Sequence, residues 1–455
     1  MTSILWFRQD LRLSDQPALA AAAAEGAVVP VYVLDDETPG GWAIGAAQRW
    51  WLHHSLASLA RDLGERGLEL VLRRGKAAEE IARLAAEVGT RRIHAIRHSE
   101  PWWTGAEQAL ARDHDLCLHD GNHLAPLGSV TTGQGGQYHV FSAFWRALCG
   151  HMPPAAPVAA PRGIEAPRRW PASEGLEDWG LLPSGPDWAA SFHDHWTPGE
   201  AAARRRVANF RAKVANYGER RDFPSRDASS HLSPHLHFGE VSARHVWHRM
   251  EETGDNILDF KRELAWRDFA AGIVLENGRY GERSLRGNFA NFAWRRGDAA
   301  DRDFAAWTRG WTGYPIVDAG MRQLWATGWM HNRVRMLAAS FLTRHLLLHW
   351  KRGAEWFWDT LVDADYGNNS VNWQWIAGTG SPAMRFARIM APLSQSAKFD
   401  AGDYIRSWVP ELGDVPDEAI HDPEEAGAKP EAYPDKLIGH REARERALDA
   451  YRRKG

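Results

Sequence analysis

The sequence predicts an α/β domain followed by an all-helical domain. Over the first 125 residues short β-branched runs alternate with alanine-rich helical patterns, and from about residue 200 the pattern is helical almost throughout. Such alternation is typical of a doubly wound parallel sheet, and 455 residues suffice for two or three domains. We expect a five-stranded α/β domain over 1–127, an inter-domain linker over 128–200 that is rich in proline over 150–200, and a helical domain over 201–455.

Five apolar runs and four helical patterns carry the prediction of the α/β domain. The strand-like runs cover 3–7, 28–34, 68–73, 92–96 and 115–119. The helical patterns lie near 15–25, 45–66, 77–88 and 102–113. A helix between successive strands is the crossover that a parallel sheet requires.

Composition and missing motifs exclude several classes of protein. The 55 basic and 58 acidic side chains nearly cancel, so a nucleic-acid site must come from local clustering. Cys117 and Cys149 make neither a disulfide framework nor a metal-ligand spacing, which favours the cytoplasm. No run of eighteen apolar residues occurs, so we expect no membrane span. The turn after the first run has no glycine and no P-loop motif occurs, which argues against those nucleotide sites.

The segment DADYGNNSVNWQW, residues 363–375, combines carboxylates, amides and indoles within thirteen residues. A surface loop does not usually hold two tryptophans, and a core helix does not usually bury two aspartates. Neither ordinary structural role explains the segment.

Two other segments place polar and aromatic side chains on one face of a predicted helix. In RELAWRDF, 262–269, the positions i, i+3 and i+4 are Glu263, Trp266 and Arg267. In GWMHNRVRM, 328–336, one helix face holds Asn332, Arg335 and Met336, and Arg333 lies at the edge of that face. Spacing alone is equally typical of a solvated helix face with one packed side chain.

Local basic clusters and a serine-rich segment suggest anionic ligands. Arginine recurs through 204–226, and through 279–296 it is interleaved with Phe289, Phe292 and Trp294, which suits phosphates and stacked bases. Solvated helix faces are the alternative. The segment SSHLSPHLHFGE, 229–240, places serines before a predicted helix start, where hydroxyl and N–H groups bind an anion or simply cap the helix. Its histidines lack further ligands at suitable spacing, so we expect no metal.

Tryptophan is unusually frequent, with 24 residues in the chain. Nine of them fall between 307 and 375, at positions Trp307, Trp311, Trp325, Trp329, Trp350, Trp356, Trp358, Trp373 and Trp375. Packing in the core explains an indole at any one position, but this density favours a role for some of them.

Together these segments resemble the photolyase/cryptochrome flavoprotein family. The motifs that carry the resemblance are WFRQDLRLSD (6–15), YGERRDFP (217–224), ELAWRDF (263–269), TGYPIVDAGMRQLWATGWMHNRVRM (312–336), DADYGNNSVNWQW (363–375) and QSAKFD (395–400). They cover essentially the whole chain in order. The resemblance implies an N-terminal α/β domain, a linker and a helical domain that holds FAD bent into a U.

The resemblance also assigns residues to the cofactor. Asp365 would accept from flavin N3–H, Asp363 would pair with Arg335, and Asn369 would face N5. The complete set of cofactor residues that it implies is Tyr217, Ser229, Ser230, His231, Leu232, Ser233, Phe260, Glu263, Arg267, Asn332, Arg335, Asp363, Ala364, Asp365 and Asn369. Trp373, Trp350 and Trp307 would form an electron-transfer chain from flavin to surface.

The substrate implied by the resemblance is UV-damaged DNA that contains a cyclobutane pyrimidine dimer. Reduced FAD would pass an electron to the flipped-out dimer, split its two cyclobutane bonds and recover the electron. The catalytic residues would be Glu263, Trp266, Asn332, Met336 and Trp375. The DNA contacts would come from Arg221, Glu263, Trp266, Arg267, Asn332, Arg333 and Gln395. We expect a monomer with no obligate protein partner.

Two related functions and the antenna remain open. A (6-4) photolyase would use a histidine pair where this sequence has Asn332 and Met336. A cryptochrome-type sensor often has Asp or Cys where Asn369 stands, and usually a signalling tail. A generic flavin oxidoreductase is disfavoured because no nicotinamide fingerprint occurs. The segment 97–108 carries Trp102 and Trp103 where a folate antenna is commonly bound, so a folate is doubtful; a deazaflavin, a second flavin or no antenna stay possible.

Three departures from the family pattern bear on subfamily. The segment 381–395 diverges, Asn372 stands where glycine is frequent, and His231 replaces a more usual arginine.

Overall fold

The computed structural model describes residues 1–250, 254–289, 291–381 and 389–453. Residues 382–388 of the divergent segment 381–395 lie outside these residues. The chain forms two compact units. The first comprises Met1–Ala215, Ser230–Arg279 and Val362–Gly367, and the second comprises Asn216–Ser229, Tyr280–Leu361 and Asn368–Gly455.

A five-stranded parallel sheet forms the centre of the first unit. Its strands are β1 (Thr2–Phe7), β2 (Ala27–Leu34), β3 (Val71–Arg74), β4 (Arg92–Ile96) and β5 (Asp115–His119). They are arranged in the order β3-β2-β1-β4-β5, and every neighbouring pair is parallel. The prediction of a five-stranded doubly wound sheet is confirmed.

Helices make up most of the remaining regular structure. In chain order they are α1 (Pro17–Glu25), α2 (Ala46–Gly64), α3 (Ala77–Val88), α4 (Pro101–Leu110), α5 (Phe141–Leu148), α6 (Phe192–His195), α7 (Glu200–Arg211), α8 (Tyr217–Arg220), α9 (Ser233–His237), α10 (Ala243–Arg249), α11 (Asp255–Glu276), α12 (Asp298–Thr308), α13 (Pro315–Thr327), α14 (Asn332–Ser340), α15 (Trp350–Thr360), α16 (Tyr366–Ala377), α17 (Pro392–Lys398), α18 (Gly402–Trp408) and α19 (His440–Arg452). All four helices predicted between the strands are present.

The apolar runs of the central strands explain the sheet. β2 is buried along its whole length, as is β1 except at its first residue. Ile4 of β1 pairs with Val29 on one side and with Ile93 on the other. A parallel strand covered on both faces is apolar without alternation, and this is the pattern that the sequence shows.

The strand order reverses beside β1, which pairs with β2 on one side and with β4 on the other. In open α/β sheets the loops after the carboxyl ends of such strands border a crevice where ligands bind. Here those loops hold Gln9 after β1, His98 to Glu100 after β4 and Asn122 with His123 after β5.

The predicted linker packs along the sheet. Val28 N–H donates to Glu165 O at 2.9 Å, and Leu72 N–H donates to Ser173 Oγ at 2.9 Å. These bonds satisfy backbone groups outside the ladder, so that much of the proline-rich segment belongs structurally to the first unit. The predicted linker, 128–200, also contains the regular helix α5, which the sequence analysis did not predict.

The named regular elements of the second unit are all helices among its described residues. α13 begins with a proline, which suits the first turn of a helix. Its Asp318 carboxylate is fully buried and accepts hydrogen bonds from Thr312 N–H, Thr312 Oγ1, Gly313 N–H and Tyr433 Oη at 2.6–3.1 Å. This network joins the start of α13 to the segment before α19.

Within the described residues, no helix has the length and apolar character needed to cross a membrane.

Candidate functional site

The helix α11 presents the first group of candidate residues. Glu263, Trp266 and Arg267 occupy one face, as their spacing predicts, and all three are half-buried. The Trp266 ring lies 4.9 Å from the Phe141 ring of α5 and 5.3 Å from that of Phe269, measured between centroids. These contacts fix the indole on one side and leave part of it exposed.

Arg267 borders a cavity in the first unit. Its Nη2 donates to Leu236 O at 3.0 Å, and its Nε is buried without a hydrogen-bond partner among the described residues. Asp365 lines the same cavity. Buried N–H groups of a guanidinium usually have hydrogen-bond acceptors. The Nε–H group of Arg267 can therefore donate to a bound ligand, and the nearby carboxylate can accept from one, as a polar cofactor edge requires.

The segment that carries the predicted flavin acids is tightly packed. Asp363 is 7% exposed and Ala364 is 2% exposed, whereas Asp365 is half-buried. Phe260, one turn before Glu263 on α11, packs its ring 4.7 Å from that of Phe210. The first unit therefore holds Phe260 and the acids in fixed positions.

The serine-rich segment contains a strained turn. His231 has a φ of 51°, a left-handed conformation that is unusual for a residue other than glycine, and its ring lies 6.0 Å from that of Trp196. Leu232 N–H donates to Ser230 Oγ at 3.3 Å. Ser233 opens α9, a helix of five residues. Ser230 to Ser233 belong to the first unit, whereas Ser229 belongs to the second.

The histidines after Ser233 have structural partners in the first unit. His235 Nδ1 contacts Glu240, which also accepts from Trp51 Nε1 at 3.0 Å. His237 Nε2 lies 3.1 Å from Gln48 Oε1. These contacts engage one nitrogen of each imidazole, whereas His235 Nε2 and His237 Nδ1 are buried without a hydrogen-bond partner among the described residues.

In the second unit α14 carries Asn332, Arg333, Arg335 and Met336. Asn332 is exposed and Met336 is half-buried. Arg335 Nε donates to Met330 O at 2.7 Å. Its predicted partner, Asp363, belongs to the first unit, so that ion pair stays a prediction.

Three candidate DNA contacts also lie in the second unit. Arg333 pairs with Asp222, and its guanidinium lies 4.6 Å from the Phe399 ring. The Arg221 guanidinium lies 5.0 Å from the ring of Tyr217. Gln395 is half-buried on α17. Arg333 is thus held in place by an acid and an aromatic ring.

Asn369 has a fixed orientation. It is 9% exposed, and its Nδ2 donates to Ala354 O at 3.0 Å. The side-chain oxygen is therefore the end that points away from α15. Trp375, two turns further along α16, is half-buried.

The predicted electron-transfer indoles, Trp373, Trp350 and Trp307, are buried, and their order in a chain stays a prediction. The Trp373 and Trp307 rings lie 6.3 Å apart in a T-shaped arrangement, and Phe357 contacts both. Trp350 donates from Nε1 to Ser284 Oγ at 3.1 Å, and its ring lies 5.6 Å from that of His349.

Sequence reasoning missed Trp294 as an electron-transfer candidate. Its ring lies 5.5 Å from the His349 ring, so that Trp350, His349 and Trp294 form a row of aromatic contacts. The signal was present, because Trp294 stands among the arginines and aromatics of 279–296, but there it suggested nucleic-acid stacking.

Comparisons with known proteins decide the family. A family model described as "FAD binding domain of DNA photolyase" matches residues 260–453, and one described as "DNA photolyase" matches residues 3–162. The deoxyribodipyrimidine photo-lyase of Agrobacterium fabrum is 44% identical over 98% of this chain and 97% of its own. The chain belongs to the DNA photolyase family.

Two further similarities are to a solved photolyase structure and to a cryptochrome. The crystal structure of a bacterial class III photolyase from Agrobacterium tumefaciens superimposes with a TM-score of 0.93 at 43% identity, covering 100% of this chain and 98% of that one. Cryptochrome-2 of Arabidopsis thaliana is 35% identical over 93% of this chain and 73% of its own. The photolyase fold, with its α/β domain and helical FAD-binding domain, is therefore confirmed.

Proposed function

We propose that the protein is a deoxyribodipyrimidine photo-lyase, a light-driven enzyme that binds FAD and splits cyclobutane pyrimidine dimers in UV-damaged DNA. The observation that carries this proposal is the 44% identity to a photo-lyase over nearly the whole of both chains. When bound, FAD supplies the light-driven electron that opens the two cyclobutane bonds of the dimer and is then recovered.

The cofactor residues fit a flavin in their chemistry. Asp365 offers a half-buried carboxylate as acceptor for a ring N–H. Arg267 Nε, which has no hydrogen-bond partner in the described part of the chain, offers a buried donor. Asn369 holds its amide in one orientation through Ala354. Ser229, Ser230 and Ser233 offer hydroxyls to phosphate or sugar oxygens.

The substrate residues bind and orient a dimer of two adjacent pyrimidines that has left the duplex. A damaged pair stacks poorly, which lowers the cost of flipping, and photolyases are among the enzymes for which flipping is the general solution. Trp266, packed against Phe141 and Phe269 on one side, presents its remaining ring surface for stacking. Glu263 and Asn332 supply acceptors and donors for pyrimidine edges, while Met336 and Trp375 supply apolar contact.

Arg221, Arg333 and Gln395 contact the DNA backbone in this proposal. The protein acts as a cytoplasmic monomer without an obligate partner. Light scattering of the purified protein, alone and with a dimer-containing duplex, tests the oligomeric state: a mass of two chains would contradict it.

A cryptochrome-type light sensor is the second candidate, and the similarity to Arabidopsis cryptochrome-2 favours it. The distinction lies in whether light produces repaired DNA. A (6-4) photolyase would repair the other lesion instead.

A repair assay with matched variants tests the proposal. The photoreduced protein is given an oligonucleotide with one thymine cyclobutane dimer, and the rise in absorbance at 260 nm is followed under blue light. Repair is expected for the wild type, with strong loss in Trp266→Ala combined with Glu263→Ala. Trp325→Phe, at an indole of α13 that is 54% exposed, is the control and should repair normally.

The outcomes separate the three functions. No repair of the cyclobutane lesion by protein that holds reduced FAD would refute the proposal. Repair of a (6-4) lesion in the same assay would then identify the other enzyme, and repair of neither lesion would leave the sensor.

A further inference from the structure

A cavity of the first unit lies at the point where the strand order reverses. The loops after β1, β4 and β5 line it, together with parts of α9 and α11 and the segment before α16. The lining residues are Gln9, His98, Ser99, Glu100, Asn122, His123, His237, Arg267, Ala271 and Asp365. Two of these residues, Glu100 and Asp365, are carboxylic acids. Glu100 has no part in the function proposed above.

Glu100 is unusually placed for an acid. It is 4% exposed, and its Oε2 is buried without a hydrogen-bond partner among the described residues. Among the described residues, the basic nitrogen nearest to Glu100 Oε2 is His98 Nδ1, which lies 3.9 Å away. This separation is beyond hydrogen-bond distance. Arg8, the guanidinium that follows β1, is engaged by Glu107 at 2.6 Å and by the Ile96 carbonyl.

We propose that Glu100 is a positioning residue that holds a proton next to Asp365 and so sets the net charge at the cofactor edge that Asp365 binds. The inference rests on the proposed function, because it needs FAD beside Asp365. Two carboxylates that share a small buried space do not both ionise easily. Glu100 is the acid that keeps the proton, because its buried Oε2 has no hydrogen-bond partner among the residues that the structure describes.

The electrostatics of the cavity agree with this assignment. Burial, and next the charge of Asp365, raise the pKa of Glu100 to about 7. Burial lowers the pKa of His123 and of His237 to about 4, and lowers that of His98 well below its usual value. The three imidazoles are therefore neutral at pH 6–8. Among the described residues, the other charged side chains that line the cavity are Arg267 and Asp365. Arg8 acts on Glu100 and His98 from outside the lining, as Arg12 does on His98 and Asp363 on His237.

Among the other described acids, burial also raises the pKa of Asp10, of Asp268 and of Asp318, and Asp268 supplies a control because it lies beside the cavity. Burial raises the pKa of Asp268 to about 7. Asp268 lines a neighbouring cavity that shares His123 with the first but does not include Asp365. A charge on Asp268 is therefore not placed directly beside the acid that holds the cofactor.

The sign of the effect follows from the charge. Below about pH 7 Glu100 is neutral, and Glu100→Gln reproduces that state. Above it the wild type gains a negative charge near the flavin, which disfavours the addition of an electron. Above about pH 7 and at a fixed applied potential, the ratio of oxidised to reduced FAD should then be on the order of tenfold higher in wild type than in Glu100→Gln. This is the effect expected for one charge roughly 10 Å from the flavin at an effective dielectric constant of about 20.

The test is a spectroelectrochemical titration of the full-length FAD-loaded protein between about pH 5.5 and 8.5, which brackets the pKa of Glu100. We expect wild type and Glu100→Gln to coincide at the acidic end and to diverge above neutrality, with Asp268→Asn following the wild type. Titrations of wild type and Glu100→Gln that superimpose at every pH would overturn the inference, as would divergence that Asp268→Asn abolishes.

A second measurement covers failure of Glu100→Gln to fold or to hold FAD. Infrared spectra of protein that carries carboxyl-¹³C-labelled glutamate, which separates Glu100 from Asp10, Asp268 and Asp318, should show the band of a protonated glutamate carboxyl group that disappears as the pH rises through 7. Absence of that band at acidic pH, or its persistence at alkaline pH, would overturn the inference. Repair by the wild type is measured separately. If repair is normal and the titrations superimpose, this inference alone is refuted. If repair is absent and the titrations diverge, the proposed function alone is refuted.

Discussion

Trp307 and Trp373 lie in direct edge-to-face proximity, with ring centroids 6.3 Å apart and an interplanar angle of 74°. Both indoles are buried, at 0% and 3% exposure. Rings this close suit electron hopping, and Trp373 also has the position that the family resemblance assigns beside the flavin. Trp373→Phe should therefore abolish photoreduction of bound FAD in light, as followed by bleaching of the oxidised flavin spectrum. Photoreduction at the wild-type rate would contradict this role.

The route beyond Trp373 gives a second prediction. Trp307 donates from Nε1 to the buried Ala338 carbonyl at 3.1 Å and has no exposed surface, so an oxidised Trp307 cannot reach solvent directly. Trp294, which comes after Trp350 and His349 in the row of aromatic contacts, is 7% exposed. We expect Trp294→Phe to lower the yield of long-lived photoreduced FAD severalfold, and Trp307→Phe to lower it less.

Transient absorption of the tryptophan radical compares the two variants, with Trp325→Phe as a surface control. A larger loss in Trp307→Phe than in Trp294→Phe would show that Trp307 is the exit, as the sequence analysis expects.

These indoles show what sequence can and cannot predict. Strands and helices of the first unit follow from local patterns, because apolar runs and helical periodicity act over a few residues. The direct contact of Trp307 with Trp373 and the row through His349 to Trp294 depend on packing between helices far apart in sequence. No local pattern carries such distances.

Glu100 was missed for a related reason. In the sequence it stands just before Pro101, which makes it an ordinary residue at the start of a helix. Its burial comes from the loops that surround the end of β4, and its nearness to Asp365 comes from a segment more than 260 residues away. By contrast, the face of α11 that holds Glu263, Trp266 and Arg267 was predictable, because helical spacing alone defines it.

Asp268 gives a prediction for stability against pH. Its carboxylate accepts from Leu124 N–H at 2.9 Å and from Ala125 N–H at 3.2 Å, and burial outweighs these bonds in raising its pKa from 3.8 to about 7. Between these values the unfolded chain is ionised while the folded chain is protonated, so rising pH stabilises the unfolded state. Folding stability should fall across this window, by no more than about 4 kcal/mol at about 1.4 kcal/mol per pKa unit.

Asp268→Asn cannot titrate, and its amide oxygen can still accept both N–H groups. Denaturant unfolding at several pH values should show the variant gaining on the wild type between about pH 4 and pH 7, and no further change above that range. A difference that is independent of pH would contradict the assignment. Glu79→Gln, at an acid of α3 whose side chain is 59% exposed, is the control.

Arg333 gives a prediction for DNA binding. Asp222 and Phe399 hold its guanidinium in place, so little side-chain entropy is lost when it contacts a phosphate. Arg333→Gln should weaken binding to all sequences alike and reduce the slope of log affinity against log salt by about 1. Arg441→Gln, at an arginine of α19 whose side chain is 94% exposed, is the control. Equal slopes in Arg333→Gln and wild type would exclude a phosphate contact.

The antenna gives a prediction for the absorption spectrum. Trp102 and Trp103 are each 8% exposed, and they pack against Tyr366 at 5.1 Å and Trp6 at 5.9 Å. Two indoles packed in this way occupy space in the region where a folate would be expected. The purified protein should therefore show the bands of FAD without a folate band, and a folate released on denaturation would contradict this.

Asn369 gives the prediction that bears most directly on repair against sensing. Its Nδ2 donates to the Ala354 carbonyl, which leaves the amide oxygen on the side that the family resemblance assigns to flavin N5. Asn369→Asp removes the donor and places a carboxylate against a buried carbonyl, which should cost roughly 1–3 kcal/mol of stability unless the acid is protonated. A protonated acid would instead present a hydroxyl proton and change the hydrogen bonding at N5. We expect this variant to retain FAD but to lose most dimer repair, whereas Asn368→Asp, at its half-buried neighbour, should retain repair. Undiminished repair in Asn369→Asp would show that the amide does not support the reaction.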